Sequence, residues 1–475
     1  MLKLFNTLSG QIENFQPRKG KKVNLFVCGP TVYDVSHLGH ARTYVAFDMF
    51  ANYLKSQGYD VFYLQNITDI DDKIIARAKE QGISWQNLSR RFEKEYFVDV
   101  KALKIKSVKK YARATEHIKE IISQVKRLLD KGFAYQADDG IYYDVSKFSD
   151  YGKLSNRDGQ IAEASFSRID EGIAKKNKAD FCLWKLALSE VEGLESGGPS
   201  WPSPYGSGRP GWHIEDTAIT EKYFGPQYDI HGGARDLIFP HHEAEIAQME
   251  AVSGKSPLVK YWMHTGFLTI NGQKMAKSLG NFTTIRDFLK SNSAEVLRFI
   301  VFSSHYRSPI DFKDSAIIEA QTNIETLRNL ITFLQKKDRG QTPILQDRGL
   351  TPILALQEKF WRALENDFNT AQAKAALFEL VGLANEKIKQ NQLTQVQAKE
   401  ILEFFKKFDK IFLFLNFKKR DKAEIIPEEI LALAKEREST RKEKNWQKAD
   451  EIRRQIKRAG WLVEDTSTGP KLKKV

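Results

Sequence analysis

The chain has 475 residues, of which 41% are hydrophobic and 28% are charged, a composition typical of a globular protein with about two to four domains. Its formal net charge of +13 indicates an anionic partner, because clustered Lys and Arg side chains gain affinity by displacing counterions from phosphates. Two cysteines are too few for a disulfide framework, and neither a secretion signal nor a bilayer-length apolar run is present, so we expect a cytoplasmic protein without membrane contact.

The first 81 residues alternate between strand and helix patterns. Residues 23–28 form a short apolar run that ends at a Gly-Pro turn, and residues 37–40 open the helix that follows. Residues 60–67 predict a second strand, and residues 73–81 predict a second helix. This order predicts an α/β fold with a parallel sheet, and ligands bind where the strands of such sheets end. We therefore expect the residues directly after both strands to share one site.

The middle of the chain interrupts this alternation. Residues 136–225 do not continue the strand and helix rhythm, and a Gly/Ser/Pro-rich stretch at 192–211 predicts a mobile surface loop within an insertion. The parallel-sheet pattern resumes at residues 228–231 and again at residues 261–264.

The character of the chain changes after residue 315. Residues 356–366 and 371–390 carry hydrophobic side chains at helical spacing, which predicts a helical domain. The last stretch, 435–475, holds 13 Lys and Arg against 7 Asp and Glu, with Trp446 and Trp461 interleaved. Basic residues beside aromatic rings suit RNA, whose unpaired bases stack on rings, although a solvent-exposed basic helix has the same composition.

A His-Leu-Gly-His signature at residues 37–40 indicates a phosphate site. Imidazoles at a helix N-terminus meet the positive end of the helix dipole and free backbone N–H groups, so His37 and His40 can hold triphosphate oxygens as pyrophosphate leaves. Gly39 leaves room for an adenine ring to approach the backbone.

A second signature, Lys-Met-Ala-Lys-Ser at residues 274–278, supports the same chemistry. Lys274 and Lys277 follow a Gly-containing loop that could close over ATP and place ammonium groups against the leaving pyrophosphate. Together the two signatures indicate activation of an amino acid by ATP.

A third constellation combines Cys28 with acidic and histidine-rich segments at 212–216 and 241–245. Thiol, imidazole and carboxylate groups together suggest a metal that binds thiols. The histidine pair at 241–242 is equally typical of a hydrogen-bonded pair at a helix start, and Glu245 of a solvated helical carboxylate.

The chain resembles cysteinyl-tRNA synthetases over nearly its whole length. The motifs that carry the resemblance are residues 28–34, 37–40, 66–73, 208–215 and 239–243. The resemblance implies a class I synthetase that joins cysteine to ATP, with magnesium, as an adenylate and then transfers it to the terminal ribose of cysteine tRNA. It implies a cytoplasmic monomer with a Rossmann-type catalytic domain that contains an insertion, followed by an α-helical bundle and a small basic C-terminal domain.

The resemblance also implies domain bounds. They are 1–135 and 226–270 for the two halves of the catalytic domain, 136–225 for the insertion, 271–320 for the lysine-signature and stem-contact region, 321–415 for the tRNA-binding bundle and 416–475 for the anticodon-binding domain.

Functional residues carry over from the family position by position. His37, His40, Lys274 and Lys277 are the implied catalytic residues, and His37, Gly39, His40 and Lys277 the implied ATP-binding residues. Thr68, Trp212 and Asp236 line the implied cysteine pocket, where Trp212 forms a wall and Asp236 anchors the substrate ammonium.

Zinc is the implied metal, because it prefers thiolate and leaves the hydroxyl of serine poorly bound. Family members hold it with two cysteines, a histidine and a glutamate, of which Cys28, His241 and Glu245 are present here. Asp216 stands where the second cysteine is usual. Our hypothesis is that Asp216 still binds the ion, since one negative ligand replaces another.

Two other functions remain open at the level of sequence. One is a cysteine ligase with a small amino-sugar acceptor, although such relatives lack the long basic C-terminal extension. The other is a non-catalytic RNA-binding derivative whose metal site has decayed at Asp216, although the intact signatures argue against decay. Cys182, flanked by large apolar residues, is expected to lie in the core.

Overall fold

The computed structural model describes residues 1–156, 175–187, 199–275, 282–338, 350–415, 417, 427–443, 445–466 and 469–474. The chain forms two compact units, Met1–Leu415 and Asn416–Val475. Within the described ranges, every helix is too short or too polar to cross a membrane.

A five-stranded parallel sheet forms the centre of the first unit. An antiparallel hairpin of β1 (Lys3–Asn6) and β2 (Gln11–Asn14) precedes it. The first three strands of the sheet in chain order are β3 (Lys22–Val27), β4 (Asp60–Ile67) and β5 (Lys110–Arg113). Strands β3 and β4 are almost continuously buried, as expected for a sheet covered on both faces.

Helices connect these strands. They are α1 (Leu38–Ser56), α2 (Asp72–Glu80), α3 (Trp85–Ala102) and α4 (Ile118–Asp130). Helices α2 and α3 begin where short polar side chains accept a backbone N–H, Asp71 from Lys73 and Ser84 from Asn87. The predicted alternation of strands and helices is confirmed.

The insertion folds as an antiparallel sheet. Its strands, in spatial as well as chain order, are β6 (Ala134–Ala137), β7 (Gly140–Tyr143), β8 (Phe181–Leu186) and β9 (Gly208–Pro210). The prediction of a surface loop up to residue 211 is wrong at its end, because β9 pairs with β8 and Gly211 is buried. A Cβ on Gly211 would lie 1.9 Å from the Cys182 carbonyl oxygen, so glycine there serves close packing. Residues 192–198 of the predicted loop lie outside the described residues.

The second half of the parallel sheet follows the insertion. Its elements are α5 (Trp212–Phe224), β10 (Tyr228–Ala234), α6 (Glu243–Ser253) and β11 (Val259–Thr265). The spatial order of the sheet is β11-β10-β3-β4-β5, all parallel. The predicted α/β fold is thereby confirmed.

A small mixed sheet follows the five-stranded parallel sheet in the chain. It contains β12 (Leu268–Ile270), β13 (Gln273–Lys274) and β14 (Ile310–Phe312), with α7 (Ile285–Ser291) and α8 (Ala294–Phe302) between the last two strands. Arg42 links α1 to the region of this small sheet, because its guanidinium donates to the carbonyls of Phe267 at 2.9 Å and Tyr306 at 3.0 Å.

Long helices complete the first unit. They are α9 (Asp314–Asp338), α10 (Thr351–Glu365), α11 (Thr370–Lys389) and α12 (Gln395–Phe412). Helix α10 begins five residues before the predicted start, at 351 rather than 356, because Pro352 is compatible with a first helical turn. A fully buried ion pair of 2.8 Å between Arg298 of α8 and Asp48 of α1 joins these two helices within the first unit.

The second unit has a small core of its own. Its elements are α13 (Glu428–Lys442), α14 (Trp446–Arg458), β15 (Trp461–Thr466) and β16 (Gly469–Lys474). Trp461 packs in that core with Ile452 and Ile456, so the expectation that it is available to stack on bases is wrong. Trp446 remains 58% exposed at the start of α14.

Candidate active site and metal centre

The loops after β3 and β4 run side by side at the carboxyl edge of the sheet. Cys28 follows β3 and Thr68 follows β4, and the Thr68 amide donates to the Pro30 carbonyl at 3.2 Å. Gly29 permits this close approach, because a Cβ there would lie 1.8 Å from the Asn66 carbonyl oxygen. The two residues that the sequence placed at one edge are therefore neighbours.

The His-Leu-Gly-His signature forms the N-terminus of α1. His37 is the N-cap, and its Nδ1 accepts the Gly39 N–H at 3.1 Å. In return His40 Nδ1 accepts the His37 N–H at 3.3 Å, and the two rings stack with centroids 3.9 Å apart. Burial and the neighbouring His37 lower the pKa of His40 to about 3, so His40 is neutral near pH 7. The first turn of α1 contains no acidic side chain, which suits an anion.

The segment that carries the lysine signature lies against this helix start. A Cβ on Gly39 would lie 2.9 Å from the His37 ring and 3.7 Å from the Met275 methyl group. A glycine at position 39 is therefore required by the packing of the His37 ring itself, independently of any ligand that binds there. Lys274 ends β13, with only its backbone described, and Lys277 lies outside the described residues.

The predicted ligands Cys28, Asp216, His241 and Glu245 meet in one buried pocket. Their ligating atoms all lie within 4.8 Å of one another. Asp216 is near the start of α5, Glu245 is in the first turn of α6, and His241 lies in the irregular turn just before α6. His241 Nε2 is 3.1 Å from Asp216 Oδ2 and 3.3 Å from Glu245 Oε1.

Glu245 is the pocket residue whose charged form receives little stabilisation from its surroundings. Both of its carboxylate oxygens are buried without a hydrogen-bond partner among the described residues. Burial and the Asp216 charge raise the pKa of Glu245 well above its ordinary value. Burial, Asp216 and Glu245 likewise raise the pKa of the Cys28 thiol. A cation in the pocket would reverse these effects, because it favours the charged forms of all three groups.

A second group of candidate ligands overlaps the first. Cys28 Sγ lies 3.3 Å from His231 Nε2 and 3.2 Å from His242 Nε2, and these three residues form a fully buried set with Glu245 within 4.8 Å. Sequence reasoning did not single out His231 as a ligand. The available signal was its place inside a buried strand, β10, that ends at the same sheet edge.

Two imidazoles of the pocket, those of His231 and His242, each have their Nδ1 atom within hydrogen-bond distance of a neighbouring side chain. Tyr228 OH lies 2.7 Å from His231 Nδ1, and His264 Nε2 lies 2.8 Å from His242 Nδ1. Burial lowers the pKa of His264 to about 3. The pKa values of His213, His231 and His242 are also lowered well below the ordinary value by burial. Neutral imidazoles retain a lone pair for a ligand.

Asn66 and Thr68 position the acidic residues of α5. Asn66 Nδ2 donates to Asp216 Oδ1 at 2.5 Å, and its Oδ1 accepts the Gly29 N–H at 2.5 Å. Thr68 Oγ1 donates to Glu215 Oε2 at 2.8 Å. The sequence placed Thr68 in a substrate pocket but did not identify Asn66, whose role is visible only in the fold.

The two remaining predicted pocket residues differ in their surroundings. Trp212 stacks on His241 with ring centroids 4.2 Å apart, so it forms a wall beside the candidate metal ligands. Asp236 lies in the short turn Arg235–Leu237 directly after β10 and is exposed. Cys182 is buried in β8, as the sequence indicated.

The donor set of the pocket fits zinc. Thiol, imidazole and carboxylate are the side chains that bind this ion, and both Glu245 oxygens, which accept no hydrogen bond from the described residues, are free to bind a cation. The carboxylate of Asp216 is compatible with zinc as well, although it is a harder ligand than a thiolate.

Three family models match the chain in sequence order. They are the class I (C) tRNA synthetase catalytic domain at residues 14–322, the DALR domain at residues 359–416 and the cysteinyl-tRNA ligase anticodon-binding domain at residues 424–469. A cysteine–tRNA ligase of Thermococcus gammatolerans is 44% identical over 100% of this chain and 99% of its own length. One of Carboxydothermus hydrogenoformans is 43% identical over the full length of both chains.

Solved structures agree in fold. A methionyl-tRNA synthetase of Mycobacterium tuberculosis with methionyl-adenylate superposes with a TM-score of 0.61 at 16% identity, over 82% of this chain and 90% of its own. A LeuRS in complex with tRNA from Agrobacterium radiobacter gives a TM-score of 0.65 at 12% identity, over 85% of each chain.

Proposed function

The chain belongs to the cysteine–tRNA ligase family of class I aminoacyl-tRNA synthetases, and we infer that it activates cysteine with ATP and transfers the cysteinyl group to the 3′ end of cysteine tRNA. One observation carries this function at the site itself. A buried pocket with a thiol, imidazoles and carboxylates lies at the same sheet edge as the capped N-terminus of α1, so a thiol-selecting group and a phosphate site are neighbours.

The ATP half of the reaction is assigned to the two signatures. His37, Gly39 and His40 at the N-terminus of α1 bind ATP, where the helix dipole and backbone N–H groups favour phosphate oxygens. His40 acts as a neutral hydrogen-bonding group. Lys274 and Lys277 stabilise the negative charge that builds up on the leaving pyrophosphate, and magnesium accompanies ATP.

The cysteine half is assigned to the pocket beside Trp212. We assign the Trp212 indole, which stacks on His241, to the substrate side chain, and Asp236 to the substrate ammonium group. Thr68, which accepts a hydrogen bond from Asn66, is assigned to the same pocket. Because Asp236 is exposed, we assign it to the mouth of the pocket rather than to its base.

Zinc is the metal we assign to Cys28, Asp216, His241 and Glu245. When bound, zinc supplies a Lewis acid that favours the thiolate of cysteine over the hydroxyl of serine. Asn66 fixes one oxygen of Asp216 and leaves Oδ2 directed toward His241, so the carboxylate offers one oxygen to a ligand. Such second-shell contacts tune how strongly a ligand binds.

The tRNA half is assigned to the C-terminal regions. We propose the bundle of residues 321–415 for the tRNA body and residues 416–475 for the anticodon, with catalytic halves at 1–135 and 226–270, the insertion at 136–225 and the stem-contact region at 271–320. Basic residues of the last unit supply phosphate contacts, and the exposed Trp446 offers a ring for base stacking. A monomeric state and a cytoplasmic location are also part of this proposal.

The two alternatives are less well supported. A cysteine ligase with an amino-sugar acceptor does not require the DALR and anticodon-binding domains that match residues 359–416 and 424–469. A non-catalytic RNA-binding derivative does not require a buried pocket in which a thiol, an imidazole and two carboxylates converge.

Cysteine-dependent ATP–pyrophosphate exchange, followed by charging of cysteine tRNA, tests the proposed function. We expect exchange with cysteine, none above background with serine, and base-labile, acid-stable cysteinyl-tRNA when tRNA is added. Exchange that proceeds without transfer to tRNA would favour the amino-sugar ligase. Absence of exchange in the zinc-loaded protein would favour the non-catalytic derivative.

A further inference from the structure

We propose that Arg286 is a positioning residue for the ATP site, because it anchors to α3 the stretch of backbone that holds His37 in place at the N-terminus of α1. Arg286 acts through residues 283–285, which pair with residues 36–38. The inference rests on the proposed use of His37 and His40 for ATP, and it adds a residue that neither signature contains.

Backbone pairing holds the N-cap residue of α1. His37 forms an isolated antiparallel bridge with Thr284. Two backbone hydrogen bonds flank this bridge, and they run from the Leu38 N–H to the Thr283 carbonyl at 3.2 Å and from the Ile285 N–H to the Ser36 carbonyl at 3.0 Å. The position of the His37 backbone therefore depends on where residues 283–285 lie.

The side chain of Arg286 fixes the chain directly after this bridge. Arg286 is the second residue of α7 and follows Ile285, whose N–H makes one of the two flanking bonds. Its Nε donates to Asp99 Oδ1 at 3.2 Å, and a terminal N–H donates to the Glu95 carbonyl oxygen at 3.2 Å. The guanidinium also forms an ion pair with the Glu95 carboxylate. All of these acceptors belong to α3.

Helix α3 is itself fixed to the sheet and to α1. Tyr96 is buried, and its hydroxyl donates to Gln65 Oε1 of β4 at 2.5 Å. Its ring contacts that of Tyr44 of α1 edge-on, with centroids 5.7 Å apart. Backbone pairing links α1 to α7, Arg286 links α7 to α3, and Tyr96 links α3 back to α1. This closed set of contacts restricts the movement of His37.

The burial of Asp99 makes its contact with Arg286 a strong one. Burial raises the pKa of Asp99 to about 6, so the carboxylate is mostly ionised near pH 7 and needs a cationic partner. A guanidinium suits this role, because its rigid planar fork can serve several acceptors at once. Lys290, on the same helix, differs in both respects, since it is 74% exposed and pairs with Asp287 of its own helix.

The apolar face of α7 should keep the helix in place when Arg286 is replaced. Ile285 and Phe288 are buried, and the Phe288 ring contacts that of Phe312 in β14 with centroids 5.4 Å apart. We therefore expect Arg286 variants to fold and to differ from the parent in the placement of the bridge that holds His37.

The ATP affinity of the Arg286→Gln full chain tests the inference. A displacement of about 1 Å can cost about 100-fold, and the apolar anchor of α7 limits the movement, so we expect a loss of about 10-fold. Calorimetric titration with an ATP analogue that has a methylene group between its α and β phosphates should show this increase in Kd. In ATP–pyrophosphate exchange the KM for ATP should rise similarly, while the KM for cysteine stays within about 2-fold.

Two further variants serve as controls. Arg286→Lys keeps the charge and should bring the Kd for the analogue back to within about 3-fold of the parent. Lys290→Gln removes an exposed cation from the same helix and should match the parent. A merely structural role for Arg286 would lower the active fraction, and hence kcat, but leave both KM values unchanged, and that result would overturn the inference.

Asp99→Asn tests the contact from the side of α3 and also serves if Arg286→Gln does not fold. It keeps the shape of the side chain, removes its charge and should weaken binding of the analogue in the same direction. The double variant should lose little more affinity than Arg286→Gln alone, because both changes act on one contact. Independent effects that multiply would overturn the inference.

Failure of the proposed function would give a different result. A parent protein that binds the ATP analogue but shows no cysteine-dependent exchange would contradict the proposed activity and leave the anchor intact. An unchanged Kd for the analogue in Arg286→Gln would overturn the anchor and leave the proposed activity intact.

Discussion

Replacing Glu245 with glutamine should stabilise the metal-free protein and reduce the additional stabilisation that zinc provides. In the absence of metal the Glu245 carboxyl group is buried beside Asp216, near His241 and His231 but without a hydrogen bond from the described residues, so the folded state bears the cost of its charged form. Glu245→Gln has nearly the same shape and no charge. The substitution removes that cost from the metal-free protein, and it removes a ligand from the zinc-loaded protein.

The magnitude follows from the burial of Glu245. Desolvation costs a buried polar group about 1–3 kcal/mol and a charged one more, and the neutral amide avoids the additional cost of the charge beside Asp216, so the metal-free variant should gain about 1–3 kcal/mol. With about 2.1 cal/mol/K of unfolding entropy per residue, the first unit, Met1–Leu415, should show a Tm increase of about 1–3 °C.

Added zinc should stabilise the variant less than it stabilises the parent. Loss of a residue that only supports a metal ligand typically weakens metal binding by about 10–100-fold. Loss of a ligand itself should therefore weaken zinc binding at least about 100-fold. Zinc at about 1,000 times the parent Kd stabilises the parent by about 4.1 kcal/mol but the variant by only about 1.4 kcal/mol. The zinc-dependent Tm increase should therefore shrink to about one third.

Thermal melts of both proteins, with chelator and with excess zinc, measure these shifts. Glu243→Gln is the matched control, because Glu243 is buried in the same helical turn but accepts the amides of Leu154 and Ser155 at 3.1 and 2.9 Å. That variant should lose stability without metal and keep its zinc affinity within about 3-fold. A lower Tm for metal-free Glu245→Gln together with unchanged zinc binding would refute the reasoning.

Three further predictions concern other parts of the molecule. Asp48→Asn should destabilise the first unit by about 3–5 kcal/mol in denaturant titrations, because it leaves the Arg298 guanidinium buried without its counter-charge; no change in midpoint would contradict the role of this pair. His40 has a pKa lowered to about 3, so the folded state binds fewer protons than the unfolded state between about pH 3 and 6.5, and stability rises with pH across this window. His40→Asn should flatten that rise. An unchanged slope of stability against pH would show that the folded state does not keep His40 neutral across this window. Trp446→Ala should raise the KM for tRNA about 10-fold, as expected for the loss of one stacked base, while cysteine-dependent exchange stays unchanged; equal losses in both assays would argue against a role in tRNA binding.

The parallel sheet and its carboxyl edge were predictable because their signals are local. Residues 23–28 and 60–67 are mostly apolar, and they correspond closely to β3 and β4. The helix after the first strand was marked by its own cap, since His37 closes the N-terminus of α1 with its side chain. Local patterns of this kind survive in the fold because tertiary packing does not oppose them.

The errors arose where packing overrides composition. A Gly/Pro-rich stretch is typical of a loop, yet residues 208–210 pair as β9, because glycines there allow the backbone to contact Trp184 and Cys182 directly. Trp461 lies among basic residues in sequence but is needed for the core of a small unit. Neither outcome can be read from a local window.

The candidate site was predictable only in part. Cys28, Asp216, His241 and Glu245 were proposed together from sequence and lie together in space. His231, whose Nε2 lies 3.3 Å from Cys28 Sγ, and the positioning residue Asn66 were not identified from the sequence, because each contacts side chains that are distant in sequence. Only the fold brings their atoms to the pocket.

The cysteine-to-serine ratio in ATP–pyrophosphate exchange, measured before and after zinc removal, tests the central claim most directly. We expect exchange with cysteine alone in the zinc-loaded protein, loss of that exchange with chelator, and recovery when zinc is restored. Full cysteine-dependent exchange in protein shown to be free of metal would contradict the account, because selection would then not depend on the Cys28 and Glu245 pocket as a metal site.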